Sequence, residues 1–598
     1  MIHPDPDSSD IPDVAQANTP PSRIISLSCF RQWLLKISRF WSAAHLSYRG
    51  GKYSIERLLA LDEYTREHSL LHALTVCVAS FLPAEIFIIS QEAVPLQDPA
   101  LGWRANYGFW VRAAIVIGAV LYTVTVQAKY FLKGFVISRW QLFVLLTCVV
   151  IVQMIFAVTF AANVWFPIPF TVITLVPAFY VVSATFICLV AGVTVVRSVL
   201  KDTARLLRFG SFIAAQQLLA LIYPAYQVLF QAANNTKYEL PVILLLPIIK
   251  LAVKNIALRC VTHLEDMMPE AIIFTVDFFN ALYMATCMES ATTTSTVIVI
   301  VFIDTAQSAT VLFRLHQGTA TILNTLNQTT TPCHSAASLL SGTSQLCRSV
   351  DGFEKQNRQR IRIRSCLFHN ISTEARQLLD RLERISLQVH RRSSAPTKRV
   401  GIKSTVIFEK RRKISKGATW AHRNVVLPSQ LNNKSPREPT APECPVTARS
   451  SAILNSRMLQ EALEVFFTTE CLLLSAFLDA FVPLFYGIFM FVMVHLQSAQ
   501  YHSELVGVTA ETIRDVVDSI FVFSSVELVA FGLLSALIYR NLGINALYHL
   551  AFVLETQTEL IQSKLLAWVT MTLAFRVVHF GTLFMIKSAE RNEPAFFH

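Results

Sequence analysis

Seven ionisable residues lie inside stretches of the sequence that are otherwise apolar enough to cross a bilayer. A charge at the bilayer centre costs about 3 kcal/mol or more unless it is paired or hydrated, so such residues usually have a function. The set contains four acids, two bases and one histidine: Asp277, Asp304, Asp479, Glu527, Lys250, Arg576 and His579. We therefore treat these residues as a candidate intramembrane charge network.

The sequence leaves three explanations of these charges open. Ion pairs between helices could fix the packing of a helical bundle. The acids could instead carry a proton or an ion along a substrate path, as in many pumps and transporters. Alternatively, a base such as Arg112 or Lys250 could lie at the end of a span rather than within it.

Sequence motifs of the common enzyme classes are absent from the chain. It contains no P-loop, no GxSxG nucleophile elbow, no HExxH zinc motif and no dinucleotide fingerprint. The 11 cysteines form no CxxC pair and show no zinc spacing. His263, Glu265 and Asp266 stand close together, a pattern more typical of a solvated turn with a helix cap than of a metal site. We therefore expect no enzymatic activity, no catalytic residue, no cofactor and no metal.

The composition indicates a membrane protein. The chain of 598 residues is 53% hydrophobic and only 15% charged, whereas soluble domains average about 25% charged residues. Several apolar runs exceed the roughly 18 residues at which a run becomes a candidate membrane helix. We predict an all-α polytopic transmembrane bundle of about 11 spans, within a range of about 9 to 12. The predicted spans are 69–90, 107–127, 140–163, 168–196, 210–230, 240–258, 271–289, 292–313, 472–496, 516–538 and 565–587.

The distribution of charge predicts the orientation of these spans. Residues 314–470 hold 25 Lys or Arg and 11 Asp or Glu, and the positive-inside rule places such a connection in the cytosol. Bases before the first span place the N-terminus on the same side, which agrees with an even number of intervening spans. Asn234 then falls in an outer connection, where its Asn-Asn-Thr sequon is a candidate glycosylation site. The expected location is the plasma membrane or an endomembrane.

The predicted organisation has five parts. Residues 1–22 form a disordered tail, and 24–68 form an amphipathic juxtamembrane region. The first membrane domain covers 69–313, the basic loop covers 314–470, and the second membrane domain covers 471–598.

Two further helices are predicted outside the spans. Apolar residues alternate spacings of four and three over 371–390 within the basic loop, which predicts a helix that either docks on the membrane domain or forms a coiled coil. The seam consists of Ile371, Ala375, Leu378, Leu382, Ile385 and Val389. Residues from about 391 to 450 are rich in Ser and Pro and are predicted to be disordered. Residues 543–563 are predicted to form an interfacial helix, because Glu555, Gln557 and Glu559 make this stretch too polar to span.

Two classes of function fit these features. The first is a transporter or channel that uses the buried ionisable residues. The second is a membrane receptor or scaffold that acts through its basic cytosolic loop. The excess of bases lies in the loop without an RNA- or DNA-binding motif, so we expect lipids of the bilayer as partners and no nucleic acid. The protein could also form a homo-oligomer.

Four stretches of the sequence carry a resemblance to a known group. They are Tyr53–Tyr64, Pro95–Trp110, His263–Asp266 together with Asp277–Tyr283, and Leu550–Gln557. Together they resemble a large group of uncharacterised multi-spanning membrane proteins of oomycetes. That group has no known activity, so the resemblance implies the membrane class and no functional site.

We predict that a peptide of residues 391–417 binds vesicles that contain anionic lipid, in a salt-sensitive way. Lys398–Lys416 contains eight Lys or Arg and one Glu, and each base near an anionic leaflet contributes about 1 kcal/mol. Ser394 and Ser415 adjoin basic clusters and are candidate phosphorylation sites. Each phosphate adds roughly −1.5 to −2 charges and should weaken binding. Cosedimentation with anionic and neutral vesicles measures the effect; equal binding to both would leave the bases as an orientation signal only.

Overall fold

The part of the chain that the structure describes is helical. The computed structural model describes residues 53–168, 171–233, 236, 238–261, 265–290, 339–348, 361–393, 445–505, 507–574, 576–577 and 579. Within these ranges the structure contains one contact of the β type, an isolated antiparallel bridge between His502 and Val577. The predicted all-α class is therefore confirmed for the described residues.

The helices are α1 (Ile55–Glu67), α2 (Leu70–Ala79), α3 (Leu82–Glu92), α4 (Gly102–Ala105), α5 (Tyr107–Phe131), α6 (Arg139–Asn163), α7 (Thr171–Ala191), α8 (Val193–Leu200), α9 (Thr203–Ala233), α10 (Glu239–Val261), α11 (Met268–Ser290), α12 (Leu339–Arg348), α13 (Thr373–Ser393), α14 (Pro445–Met493), α15 (Ile513–Leu542), α16 (Ala546–Thr556) and α17 (Thr558–Ala574). Serine caps begin several of them. The Ser54 and Ser69 side chains cap α1 and α2, and Ser138 forms a capping box with Gln141 at α6. Each cap satisfies a backbone N–H group that the first helical turn leaves free.

Nine helical segments of the described chain are long and apolar enough to cross a membrane. They are α2 together with α3, and then α5, α6, α7, α9, α10, α11, α14 and α15. Each overlaps one predicted span, as expected of a multi-spanning membrane protein. The predicted span 292–313 lies outside the described residues. The last predicted span, 565–587, overlaps α17, whose 17 residues are fewer than the roughly 20 that a bilayer requires.

Helix α14 begins much earlier than the sequence predicts. It starts at Pro445, inside the region predicted to be disordered and well before the predicted span at 472–496. The extra turns bury apolar side chains such as Leu459, Leu463 and Phe466. Helix α14 is therefore extended because these side chains pack against other helices. The local composition of the sequence does not reveal that packing.

The interfacial helix predicted over 543–563 is instead two helices, α16 and α17, on either side of Gln557. Most of α16 is buried, including His549 and Phe552, and it contacts α1, α2, α14 and α15. Polar residues are accommodated here because they find partners in other helices. The Gln557 side chain, for example, donates a hydrogen bond to Glu270 of α11.

Helix α11 lies at the centre of the bundle. Every residue from Met268 to Met288 is buried, and α9, α10, α14, α15 and α17 all contact this helix. Most of its residues are apolar, as expected of a helix that is surrounded on all sides. Along its axis, at a rise of 1.5 Å per residue, Asp277 lies about 10 Å from Glu270, and Thr286 lies about 13 Å beyond Asp277. Helix α11 therefore offers polar partners at three depths.

Helices α6 and α7 are the least buried of the nine spanning segments. Helix α6 buries one face through residues at every fourth position: Leu145, Val149, Gln153, Ala157 and Ala161. Large apolar side chains on other faces are exposed, among them Phe143 and Ile155 of α6 and Val181 and Leu189 of α7. A broad apolar surface of this kind suits contact with lipid tails.

Part of the basic loop, residues 314–470, docks on α1. The backbone N–H groups of Ile55 and Glu56 donate to the carbonyl oxygens of Arg362 and Ile363, both at 3.0 Å. These bonds satisfy donors that the first turn of α1 would otherwise leave free. We call residues 361–393 the docked segment.

Helix α13 continues the docked segment. It begins at Thr373, within two residues of the predicted start, and its apolar residues Ala375, Leu379 and Leu382 are buried. Just before α13, Glu63 of α1 accepts a hydrogen bond from the Ser372 backbone N–H at 2.8 Å. The described part of α13 therefore packs on the helical bundle.

His369 lies where the docked segment meets α16. Its ring stacks on that of Phe552 with centroids 5.7 Å apart, and its Nε2 lies 3.2 Å from the hydroxyl oxygen of Ser365. Burial and the positive charge of Arg57 lower the pKa of His369 from 6.5 to about 3. Docking therefore holds this imidazole in its neutral form.

We predict that acidification weakens the docking of residues 361–384. The docked state binds the His369 proton less readily, so docking is fully stable above the undocked pKa of 6.5 and weakens as the pH falls towards 3. The loss is about 1.4 kcal/mol per pH unit, so hydrogen exchange should report roughly 30-fold more opening at about pH 5 than at neutral pH. His369→Asn should abolish this dependence, whereas the exposed His495→Asn should retain it. An unchanged pH response in His369→Asn would contradict the prediction.

Candidate functional site

Three of the seven predicted charged residues meet in one cluster, which we call the Asp277 cluster. Lys250 Nζ lies 3.6 Å from a carboxylate oxygen of Asp277 and 3.6 Å from one of Asp479. Lys254 Nζ lies 3.1 Å from Asp277, and the Ser475 hydroxyl donates to Asp277 at 2.8 Å. The cluster joins α10, α11 and α14 with two positive and two negative charges.

Helical periodicity brings these side chains to one interface. Lys250 and Lys254 are four residues apart on one face of α10, and Ser475 and Asp479 have the same spacing on α14. Lys250 lies in the middle of α10 and therefore not at the end of a span. The Asp277 side chain is fully buried, where a carboxylate without a positive partner would be strongly unfavourable.

A second cluster surrounds Arg576 near the C-terminal end of α11. Arg576 forms an ion pair with Glu504 and donates to the hydroxyl groups of Tyr486 and Thr286, each at 2.8 Å. The Tyr486 hydroxyl in turn donates to Glu504 at 2.6 Å. These contacts connect α11 and α14 to the chain that follows α17, and we call them the Arg576 cluster.

His579 and Arg112 contact the connection between α3 and α5. His579 Nε2 lies 2.6 Å from the carbonyl oxygen of Gln97. Arg112 forms an ion pair with Glu92, and His502 Nε2 lies 3.0 Å from the same carboxylate. Arg112 is buried in the second turn of α5, so it belongs to the interior of the bundle.

A third cluster, the Arg57 cluster, was not predicted from the sequence. Arg57 Nη2 lies 2.6 Å from Glu270 and 2.9 Å from Glu470. Its Nη1 donates to the carbonyl oxygen of Asp266 at 2.5 Å, and His549 Nε2 lies 3.2 Å from Glu470. The cluster joins α1, α11, α14 and α16.

Electrostatics keep Arg57 charged. Burial lowers its pKa, but the carboxylates of Glu470 and Glu270 raise it more, so the pKa of Arg57 lies well above its ordinary value.

The apolar run at 58–61 that follows Arg57 is a sequence signal of a buried helix. The sequence does not indicate which acids meet the guanidinium, because they lie in helices far along the chain.

The structure distributes the predicted charges over separate clusters. Asp277, Asp479 and Lys250 meet, whereas Arg576 and His579 contact other residues. Glu527 is buried in α15. The remaining predicted residues lie outside the described part of the chain, so the hypotheses about them stay predictions: Asp304, Asn234, Ser394 and Ser415.

An apolar pocket lies between α5, α6, α7, α9 and α17. Val116, Leu175 and Met571 are among the side chains that line it. Gln153 also lines the pocket and is 1% exposed. Its Nε2 donates to the carbonyl oxygen of Leu175 at 3.2 Å, while its Oε1 accepts no hydrogen bond from the residues that the structure describes. The pocket therefore presents a buried acceptor in an apolar wall.

No family model, curated protein or solved structure matches the chain. The resemblance to oomycete membrane proteins therefore stays a prediction.

We predict that Asp277→Asn destabilises the protein by about 3–5 kcal/mol, because the buried Lys254 then faces a neutral amide and Lys250 loses one of its two carboxylate partners. Denaturant unfolding in detergent measures the loss. Asp277→Asn combined with Lys254→Met should recover part of it, since the double change removes one stranded charge. Glu511→Gln, at an exposed position, serves as the control and should leave stability unchanged. Wild-type stability of Asp277→Asn would contradict a structural role for the cluster.

Proposed function

We propose that the protein is a multi-spanning membrane receptor that binds a small apolar molecule with one hydrogen-bond donor. The observation that carries this proposal is the amide oxygen of the pocket-lining residue Gln153, which is buried and accepts no hydrogen bond from the described part of the chain. A buried acceptor without a partner costs about 1–3 kcal/mol. The hydroxyl or amide N–H of an apolar ligand would satisfy it, while the lining side chains would bury the rest of the molecule.

The location of the pocket supports entry of the ligand from the bilayer. Two of its walls are α6 and α7, which expose large apolar side chains such as Ile151, Phe156 and Ile173. A molecule that partitions into lipid would reach the pocket without crossing a charged surface. Pro177 lies inside α7 beside the lining residue Val176, and a proline removes one helical hydrogen bond at this wall.

A chain of contacts leads from the pocket to the docked segment. Met571 of α17 lines the pocket, and Lys564 of the same helix donates to the carbonyl oxygen of Ala271 at 2.7 Å. The neighbouring Glu270 binds Arg57, which lies on α1, the helix that holds the docked segment. A ligand that displaces α17 would therefore act on the loop through side chains in direct contact.

The ion pairs also favour a receptor over an ion-coupled transporter. A coupling acid must exchange its proton or ion during the transport cycle, whereas Asp277 is fully buried and held by Lys254 and Ser475. Such contacts fix the helices relative to one another.

Transport is the second candidate function. The side chains of Asp479 and Lys250 are 18% and 13% exposed, so an ion or water could reach this side of the Asp277 cluster. Selective loss of transport in reconstituted vesicles by a stable Asp479→Asn variant would favour this candidate.

We predict that azioctanol, an aliphatic alcohol with a photoreactive diazirine, labels the pocket of the protein in lipid nanodiscs. Peptide mapping should place the label on lining residues such as Val116 and Leu175, and excess octanol should compete. Gln153→Leu should weaken labelling roughly five-fold, because one hydrogen bond contributes about 1 kcal/mol. Val176→Phe should abolish labelling because the ring fills the pocket.

The matched control is Ile151→Phe, which adds the same ring to an exposed position of α6 and should retain full labelling. Melting temperatures establish that each variant is folded. Labelling that survives Val176→Phe, or that octanol does not reduce, would contradict the proposed receptor site.

A further inference from the structure

Two histidines and a glutamate converge where α1, α2 and α16 meet, on a different surface from the apolar pocket. His68 caps the end of α1, His72 lies in the first turn of α2, and Glu555 lies in the last turn of α16. One potential ligand atom from each residue lies within 4.8 Å of the other two. The side chains of His72 and Glu555 are 41% and 44% exposed, so an ion in solution can reach them.

Hydrogen bonds orient these three groups for a common ligand. His68 Nδ1 lies 3.2 Å from the carbonyl oxygen of Tyr64, and donation of Nδ1–H to that oxygen leaves Nε2 with its lone pair. Histidines that bind metals usually have their second nitrogen held in this way. The Tyr64 hydroxyl also donates to Glu555 Oε2 at 2.8 Å. His72 Nε2 lies 3.1 Å from that same oxygen, so the potential ligand atoms face one another.

Ring contacts hold the imidazoles in place. The Tyr64 ring stacks on that of His68 with centroids 4.1 Å apart, and the His68 and His72 rings are 4.7 Å apart. The two histidines belong to different helices, and the junction at Ser69 sets their separation. Binding would therefore require small side-chain movements rather than refolding.

We propose that His68, His72 and Glu555 bind a divalent transition-metal ion of the zinc class. Two imidazole nitrogens and one carboxylate oxygen are a common donor set for Zn²⁺, and water would complete a tetrahedral site. Mg²⁺ and Ca²⁺ prefer oxygen ligands, so they should bind poorly to a site with two nitrogen donors.

Metal binding would join the α1–α2 junction to α16 beside the docked segment. Phe552 of α16 contacts the rings of Tyr64 and His369, each with centroids 5.7 Å apart. An ion held between α1 and α16 would therefore strengthen the surface on which the docked segment packs. The site and its effect do not depend on ligand binding in the apolar pocket.

The test is titration of the full-length, tag-free protein in detergent with Co²⁺, followed by displacement with Zn²⁺. We expect one Co²⁺ per chain with the visible absorption of tetrahedral coordination, and a melting temperature that rises with Zn²⁺ and falls again with chelator. His72→Ala and Glu555→Ala should abolish stoichiometric binding. Tyr64→Phe, which removes only the hydroxyl that positions the carboxylate, should weaken binding roughly 10-fold to 100-fold.

The matched control is His495→Ala, which removes an exposed histidine elsewhere and should bind Co²⁺ as the wild type does. Co²⁺ binding that is unchanged in His72→Ala, absence of Co²⁺ binding to the folded wild type, or equal binding of Mg²⁺ would each overturn the proposed site. If His72→Ala loses Co²⁺ binding but retains azioctanol labelling, the loss belongs to the metal site and not to the apolar pocket.

Discussion

The bundle depends on one electrostatic constraint, which is that a charge removed from water must face an opposite charge or several polar groups. Loss of one partner from such a pair in an apolar interior costs about 3–5 kcal/mol. Helix α11 meets this constraint with acids at two depths, where Glu270 faces Arg57 and Asp277 faces Lys254. Near its C-terminal end it also contacts Arg576. These contacts fix the rotation and depth of the surrounding helices, because other arrangements would separate the partners.

The outer helices of the bundle follow a different rule. Helix α6 packs through small and apolar side chains at every fourth position, with Gln153 as a polar member of that face. Each van der Waals contact is weak, so such a face can adjust to a ligand more readily than a set of ion pairs can. The molecule thus combines an electrostatically fixed centre with an apolar flank that contains the pocket. This division suits a receptor in which a ligand acts at the flank and the centre transmits its effect.

Helix α16 connects several features at the α1 end of the bundle, although it has only 11 residues. His549 contacts Glu470 of the Arg57 cluster, and Phe552 stacks on His369 of the docked segment. Glu555 completes the proposed metal site. A change in the position of α16 would therefore reach the buried ion pairs and the docked segment together. This helix is the point at which the protonation of His369 and the proposed metal ion would act on the same contacts.

The sequence by itself determined the class of the protein, because helical periodicity and apolar length depend on residues within a few turns of one another. It indicated the spanning helices, the helix over 371–390 and the presence of charges at membrane depth. Tertiary structure alone decided which charges meet, since Arg57 and Glu470 are 413 positions apart in the sequence. Likewise, no local sequence pattern indicates that Lys254 contacts Asp277 or that Glu504 contacts Arg576. Tertiary structure also decided the early start of α14, the break between α16 and α17, and the pocket, which five helices build together. A sequence determines where charged and apolar residues stand along each helix, but only the packing of the helices brings particular faces into contact.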